Sequence, residues 1–494
     1  MSKAIKQSIF STIISYFGVA LGYINLLYLY PAFLQVEQIG LMRSIQDAAI
    51  LLVPFAQLGL SQSTMRFFPQ LVKDKKSEGG FLGLLLLLSL LAFAVFLIIF
   101  LPARQFIMDY FAENAAELPN YSYLILWLTF ILLVTAVLEA YSRSLLKIVV
   151  PNLIRELLMR VFLAFSVLCY VAGWVDFHLF LLLTVSFYGL CLLILISYLI
   201  FTNHFKPNFN FSFLDKSRIN ELVKFSLLTL VGTGGYILVG KVDSLMISGM
   251  LGLAENAIYT TAFYVAAVIE VPRRAVSQVV MPLISRAFEK NNLKEIEQLY
   301  KRAALNQFII GVLLLIGLWA NMDNIFRLMP NGEIYAAGKY VILIIGIGKL
   351  ADMFFGPSSE IIVLSKYYKF NITLTALLAV LVIAGNQMLI PILGINGAAI
   401  SSAMALIIFN FIKYLYIYKK FNMQALSLRM IWVCWLAALA LFVGLIIPYL
   451  GNIYVDILIR SFLITLIFGS GVLISRVSEE INHTLYQIVL KLRK

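Results

Sequence analysis

Among the charges that fall inside otherwise apolar stretches of this sequence, seven cations and six carboxylates could do chemistry. The cations are Arg43, Arg155, Arg160, Lys241, Arg273, Arg274 and Lys349; the acids are Asp47, Glu156, Asp243, Glu270, Asp352 and Glu360. An ionisable group at the centre of a bilayer costs about 2.5–3.5 kcal/mol on insertion scales, so each needs a partner or a water-filled cavity. Arg43–Asp47 and Glu156–Arg160 are four apart and Lys349–Asp352 three apart, spacings that put both members on one helical face. Lys241 and Asp243 are two apart and point to nearly opposite sides. Glu270 stands just before Pro272, Arg273 and Arg274. Two readings stand side by side. The spaced pairs are structural ion pairs, or the small basic excess lines a cavity open to the cytoplasm. In the second case the guanidinium forks suit a phosphate-bearing anion.

Other chemistries find no support. Cys169, Cys191 and Cys434 are scattered in apolar runs, and His178, His204 and His483 fall into no metal-ligand spacing. There is no GxxxxGK[ST] loop for nucleotide phosphates. The net charge of +13 comes without a basic tract interleaved with aromatics, which argues against nucleic acid. No loop outside the apolar segments exceeds roughly 20 residues, so a folded catalytic domain has no place to form. The chain reads as a non-enzyme without a resident cofactor or metal.

The elements that must hold these charges are membrane spans. Of 494 residues, 62% are hydrophobic and 13% charged, with a mean hydropathy of +0.93. Soluble domains carry about 25% charge, so a water-facing surface is excluded. Fourteen stretches reach the length of apolar helix that crosses hydrocarbon: 9–34, 39–67, 81–101, 121–142, 148–172, 177–201, 222–250, 255–284, 303–325, 337–365, 370–391, 394–418, 430–449 and 454–474. The third and sixth are almost uniformly apolar and should face lipid. The first is long, rich in tyrosine and unlike a cleaved signal peptide. Placing the N-terminus in the cytoplasm puts Lys73, Lys75, Lys76, Arg143, Lys147, Lys206, Arg286, Lys290, Lys366, Lys413, Lys419 and Lys420 on one side, in loops or at the ends of spans. The tail residues Lys491, Arg493 and Lys494 join them, while the opposite loops hold few cations beyond Arg104, Arg327 and Lys339, alongside Asp109, Glu113, Glu117, Asp323 and Glu333. This asymmetry makes both termini cytoplasmic.

An offset of 218 lays Gly22 on Gly240, Glu37 on Glu255 and Val53-Pro54 on Val271-Pro272. The expected organisation is an all-α membrane protein with two parallel six-helix lobes around a central cavity, residues 1–210 and 211–420, followed by a helix pair and tail at 421–494. Pro54, Pro272 and Pro357 fall in charge-bearing spans and are hinge candidates, since an internal proline removes a backbone hydrogen bond.

Several segments resemble the polysaccharide flippases, the O-antigen and capsule transporter family of the multidrug/oligosaccharidyl-lipid/polysaccharide exporter superfamily. They are VPFAQLGLSQSTMRFFPQL at 53–71, KFSLLTLVGTGGYILVGKVDSLMISGMLG at 224–252 with the AENAIYTTAF that follows, and LGINGAAISSAMA at 393–405. The resemblance implies two six-helix lobes in a V and alternating access. It implies transfer of an undecaprenyl-pyrophosphate-linked oligosaccharide across the bacterial cytoplasmic membrane, with other polysaccharide-assembly membrane proteins as possible partners. The basic interior would then hold pyrophosphate and acidic sugars while the prenyl tail stays in lipid. Many relatives couple to Na+ or H+. The first span has Asn25 where several drug-extruding relatives carry Asp, so coupling would fall to Asp243, Asp352 or Glu360. A cation-coupled multidrug exporter is the alternative within the superfamily, and it should show a more acidic cavity.

Overall fold

The structure, a computed structural model, describes residues 3–211 and 215–483. The tail cations Lys491, Arg493 and Lys494 lie outside the described residues. Among the described residues every regular element is a helix, as hydrocarbon requires of an open chain that must bond its own backbone. Two compact units divide between Ala257 and Ile258.

The first unit begins with α1 (Lys3–Ile24), which runs through a π-helical turn at Asn25–Leu29 into Tyr30–Phe33. Then come α2 (Val36–Gln57), α3 (Leu60–Leu71), α4 (Lys75–Ala112) and α5 (Ser122–Ser144). Val149–Leu153 leads through a second π turn, Ile154–Leu158, into α6 (Met159–Val171); α7 (Phe177–Phe201) and α8 (Lys216–Met250) complete the unit. Helix α9 (Leu253–Ala266) carries the chain across the boundary. The second unit holds a 3-10 turn at Ala267–Glu270, then α10 (Val271–Glu289), α11 (Leu293–Ala320), α12 (Lys339–Phe354) and α13 (Ser358–Leu364). It ends with α14 (Tyr368–Leu393), α15 (Ile395–Phe421), α16 (Arg429–Ile446) and α17 (Ile453–Ile474).

Helix starts follow local chemistry. Asp74 accepts from the Ser77 amide at 2.8 Å to cap α4, Asp176 caps α7 at 2.7 Å, and Asn452 caps α17; each supplies an acceptor to an orphan amide. Gln35 and Gln38 form a reciprocal capping box at the start of α2.

Among the described residues eleven helices are long and apolar enough to span a membrane, twelve with α8, whose two halves meet at 47°. The bend falls in the glycine-rich stretch around Gly232, Gly234 and Gly235. Two further expected spans, 148–172 and 255–284, are helical over nearly their whole length but broken and charged: the π turn interrupts one and the 3-10 turn the other. Together these are consistent with fourteen. The second expected span, drawn as 39–67, is two helices, because Leu58 and Gly59 both take positive φ, 51° and 79°. Pro54 sits one turn ahead of this break, and its carbonyl accepts from the Leu58 amide. The tenth, drawn as 337–365, also breaks: Gly356 has a φ of 65°, and Pro357 then starts α13. Pro272 enters α10 at its first turn.

The core of the first unit packs Phe67, Phe68, Phe81 and Tyr141, with Phe68 edge-on to both Phe81 and Tyr141 at 5.7 Å. That of the second packs Ile296, Tyr300, Ala304 and Phe308 of α11 against Val433 and Ala437 of α16 and Ile464 and Phe468 of α17. The final helix pair therefore belongs to the second compact unit, while α8, counted with the second lobe in the sequence, lies in the first. Along α4 and α7, Ile98, Ile99 and Phe201 stay largely uncovered, as lipid-facing residues should.

Candidate functional site

Within each unit the intramembrane charges form ion-pair networks. In the first, Lys241 of α8 donates to Asp47 of α2 at 2.5 Å. Asp47 thus joins two helices, where the spacing had suggested Arg43 on its own helix. The Arg43 guanidinium lies 5.6 Å from the centre of the Tyr30 ring and reaches Gln46 at 3.5 Å. Asp243, one of the proposed coupling acids, is buried. Gly40 makes the α2 approach possible: a Cβ there would collide with the Leu253 carbonyl. Beside it Ser44 bonds Ser248 at 2.8 Å and accepts from Asn256 at 3.0 Å.

The second network surrounds the π turn before α6. Arg155 bonds Glu139 of α5 at 2.9 Å and Glu156 at 3.1 Å; Arg160 bonds Glu156 at 3.1 Å; Arg143 reaches Glu139 at 3.3 Å. The Glu156–Arg160 pair is the one its spacing indicates. Glu139 had been passed over, although it is an acid four residues before Arg143 in an apolar span. Helix α1 closes on this network through Gly18, where a Cβ would strike the Glu156 carbonyl, and through Gly22, which packs on the Arg160 side chain. Asn25, in the α1 π turn, donates to the Arg160 carbonyl at 2.9 Å. The first π turn is thus tied to α6 two residues past the second, and π turns are common at functional sites.

In the second unit Arg273 bonds Asp352 of α12 at 2.7 Å and faces Glu360 of α13 at 3.8 Å. Ser277 also donates to Glu360. Lys349 donates to Glu270 at 2.5 Å, and Arg274 approaches the other oxygen of Glu270 at 3.5 Å. Lys349 and Asp352, three apart, pair with different partners. Arg273 is 19% exposed at its side chain and Arg274 65%. Adjacent guanidiniums thus differ sharply: one is sealed between carboxylates, the other keeps its donors open. Buried pairs of this kind contribute little net stability, yet removing one partner costs about 3–5 kcal/mol because the other stays charged and desolvated.

Besides Glu139, three intramembrane charges escaped the sequence reading. Lys413, counted there only with the cytoplasmic cations at the end of its span, is buried in α15 at 1% exposure. Asp456 and Arg460 of α17 form a bidentate pair, tied further to Asn324, the Leu450 amide and the Gly444 and Ile447 carbonyls. Their i,i+4 spacing was the available signal. With its donors and acceptors engaged, this pair fastens the loop between α16 and α17 and has the character of a structural staple.

The family model described as polysaccharide biosynthesis protein matches residues 5–288, and the model described as MatE matches 230–388. No curated protein sequence matches. Among solved structures, a lipid II flippase MurJ in an inward closed conformation aligns with a TM-score of 0.75 at 14% identity, covering 95% of this chain and 100% of its own. An inward-facing multidrug resistance MATE transporter aligns at 0.62 with 15% identity, covering 85% and 98%. A MOP superfamily transporter from Pyrococcus furiosus, described as having a binding pocket of reverse polarity, aligns at 0.56 with 15% identity, covering 85% and 96%.

Proposed function

Because the chain belongs to the polysaccharide biosynthesis protein family, within the superfamily of flippases and multidrug exporters, we propose that it flips an undecaprenyl-pyrophosphate-linked oligosaccharide across the bacterial cytoplasmic membrane. The carrying observation is Arg274. A guanidinium that is 65% exposed within an intramembrane stretch needs water or an anion rather than lipid, and its planar fork suits the oxygens of a pyrophosphate. Arg155, half exposed at 51%, is the corresponding group of the first unit. Arg43, Arg160, Lys241, Arg273 and Lys349 hold the basic interior in shape through the partners described above.

The protein acts as a transporter, not an enzyme, with both termini in the cytoplasm and two lobes plus an appended helix pair. Pro54, Pro272 and Pro357, each beside a break in its helix, serve as hinges for alternating access. The working substrate is lipid-linked, the surrounding solvent is lipid, and polysaccharide-assembly membrane proteins are the natural partners.

The test is to delete the gene in its host and extract the lipid-linked intermediates. Accumulated full-length repeat units with loss of surface polysaccharide are expected. The MatE match over 230–388 favours a second reading, a cation-coupled multidrug exporter. Unchanged lipid-linked pools with altered sensitivity to cationic drugs would decide for it.

A further inference from the structure

Where the start of α14 meets the end of α15, the surface charge is all of one sign. Lys366 stands two residues ahead of α14, Lys369 lies in its first turn, and Lys419 and Lys420 lie in the last turn of α15. All four are exposed. The chain has no Asp or Glu between Glu360 and Asp456. Among the described residues no carboxylate lies within ion-pairing distance of any of the four. Helix α10 comes close, with Phe288 edge-on to Phe421 at 6.0 Å, but its Glu289 pairs with none of them and Lys290 follows it.

Aromatic rings hold these ends together and focus the charge. Phe370 stacks on Tyr416 at 3.7 Å, and Tyr367 meets Tyr416 and Phe421 edge-on, each at 5.7 Å. The ammoniums of Lys366 and Lys420, from opposite ends of the helix pair, lie 5.3 Å and 5.4 Å from the centre of that one Tyr367 ring. The ring attracts each of them, but two like charges drawn to one ring repel each other until an anion comes between them. The bias of lysine toward one side of a membrane explains why these residues are here; it does not bring two of them to a single ring. The flanking surface has the opposite character. Leu377 and Val380 of α14 and Phe411 and Leu415 of α15 are exposed, and Phe411, Leu415 and Tyr418 recur at the spacing of one helical face. Exposed Tyr368 and Tyr418 lie between the lysines and this apolar strip, as tyrosines do where hydrocarbon gives way to water. A free phosphate would leave the strip uncovered, whereas a phosphate carrying acyl chains complements both parts.

We propose that this end of the α14–α15 pair is a binding site for an anionic glycerophospholipid of the bilayer. Its phosphate bridges Lys366 and Lys420 beside Tyr367, and its acyl chains lie along the exposed strip of α14 and α15. Lys369 and Lys419 add to the field that draws the headgroup in. Because Lys366 precedes α14 and Lys420 closes α15, the bridging phosphate ties the two helix ends together. The site lies within the second unit and shares no residue with the buried ion pairs. It requires a membrane around the protein and is independent of what the protein transports.

The test uses the full-length protein in mild detergent, with native mass spectrometry and thermal melting as readouts. Phosphatidylglycerol, phosphatidylcholine, undecaprenyl diphosphate and inorganic phosphate are the probes. The wild type should retain phosphatidylglycerol in preference to phosphatidylcholine, and its melting temperature should rise with added phosphatidylglycerol. A lysine beside an anionic headgroup contributes about fivefold in affinity, so K366Q/K420Q should weaken phosphatidylglycerol binding about 20-fold and cancel the thermal shift. K366R/K420R keeps both charges and should retain the lipid. K73Q/K76Q, which removes two cations from the loop before α4, should change neither readout. Equal retention of phosphatidylcholine overturns the proposal, as does wild-type phosphatidylglycerol binding by K366Q/K420Q. Undecaprenyl diphosphate that displaces phosphatidylglycerol, and that K366Q/K420Q no longer holds, would make this a substrate site and overturn the assignment to bulk phospholipid. Displacement by inorganic phosphate alone would show that the acyl chains contribute nothing, and overturns it too.

Discussion

Arg273 and Arg274 are neighbours in sequence, yet burial assigns them different consequences. Truncating Arg273 strands Asp352 and loosens Glu360, so R273A should lose about 3–5 kcal/mol of stability. Its abundance and detergent melting temperature should fall along with glycan display, and a double R273M/D352L variant should recover much of the thermal loss. Arg274 is largely exposed and paired only at 3.5 Å, so R274A should display less surface glycan at unchanged abundance. R274K should restore only part of the display, because an ammonium cannot make the bidentate contact. Normal glycan in R274A would remove Arg274 from the substrate site. Asp456 and Arg460 belong to the structural class: R460A should lower the melting temperature strongly, since it frees a fully buried carboxylate and two carbonyls.

At the scale of elements, the close approaches are governed by glycine. Gly40 lets the chain meet the Leu253 carbonyl, and Gly18 does the same for α1 at the Glu156 carbonyl. A side chain at either position must push two backbones apart. G40V should therefore cost about 1–3 kcal/mol or more, as over-packing does, read as reduced thermal stability with the helical circular dichroism intact. The break at Leu58–Gly59 differs in kind: Gly59 combines a φ of 79° with contact from the Ser226 carbonyl. G59A meets both strain and collision there, and loss of folded protein is the expected outcome in a fluorescence-tagged expression assay. Helix breaks were only partly legible in the sequence. Pro54, Pro272 and Pro357 announced three of them, but the π turns at Asn25–Leu29 and Ile154–Leu158 carry no proline signal. The first is tied instead by a tertiary contact, from Asn25 to the Arg160 carbonyl of α6.

For the whole molecule, the orientation expectation is open to direct measurement. A reporter fused after Lys494 should be active only when it is a cytoplasmic type; activity of a periplasmic-type reporter would require an odd number of spans. Composition made the membrane class plain, because 13% charge cannot clothe a soluble surface of 494 residues. The span pattern was legible for the uniformly apolar helices. It was blurred at 148–172 and 255–284, where charged residues dilute the hydropathy that marks a span.

What the residues determine by themselves is the solvent, the helical class and the presence of charges that need partners. Those follow from transfer energies and period, which are properties of each segment alone. Only the tertiary structure decides which charge meets which. Asp47 could bond within its own helix or across to Lys241, and Lys349 could take Asp352 or Glu270; in both cases the inter-helix contact prevails at 2.5 Å. Lys413 shows the same limit from the other side. Its position near a cluster of lysines suggested a solvated helix end, and its burial depends on how α15 packs against α12, α13 and α14. Partner choice in a low dielectric depends on distances across helices, and periodicity along one helix does not contain them.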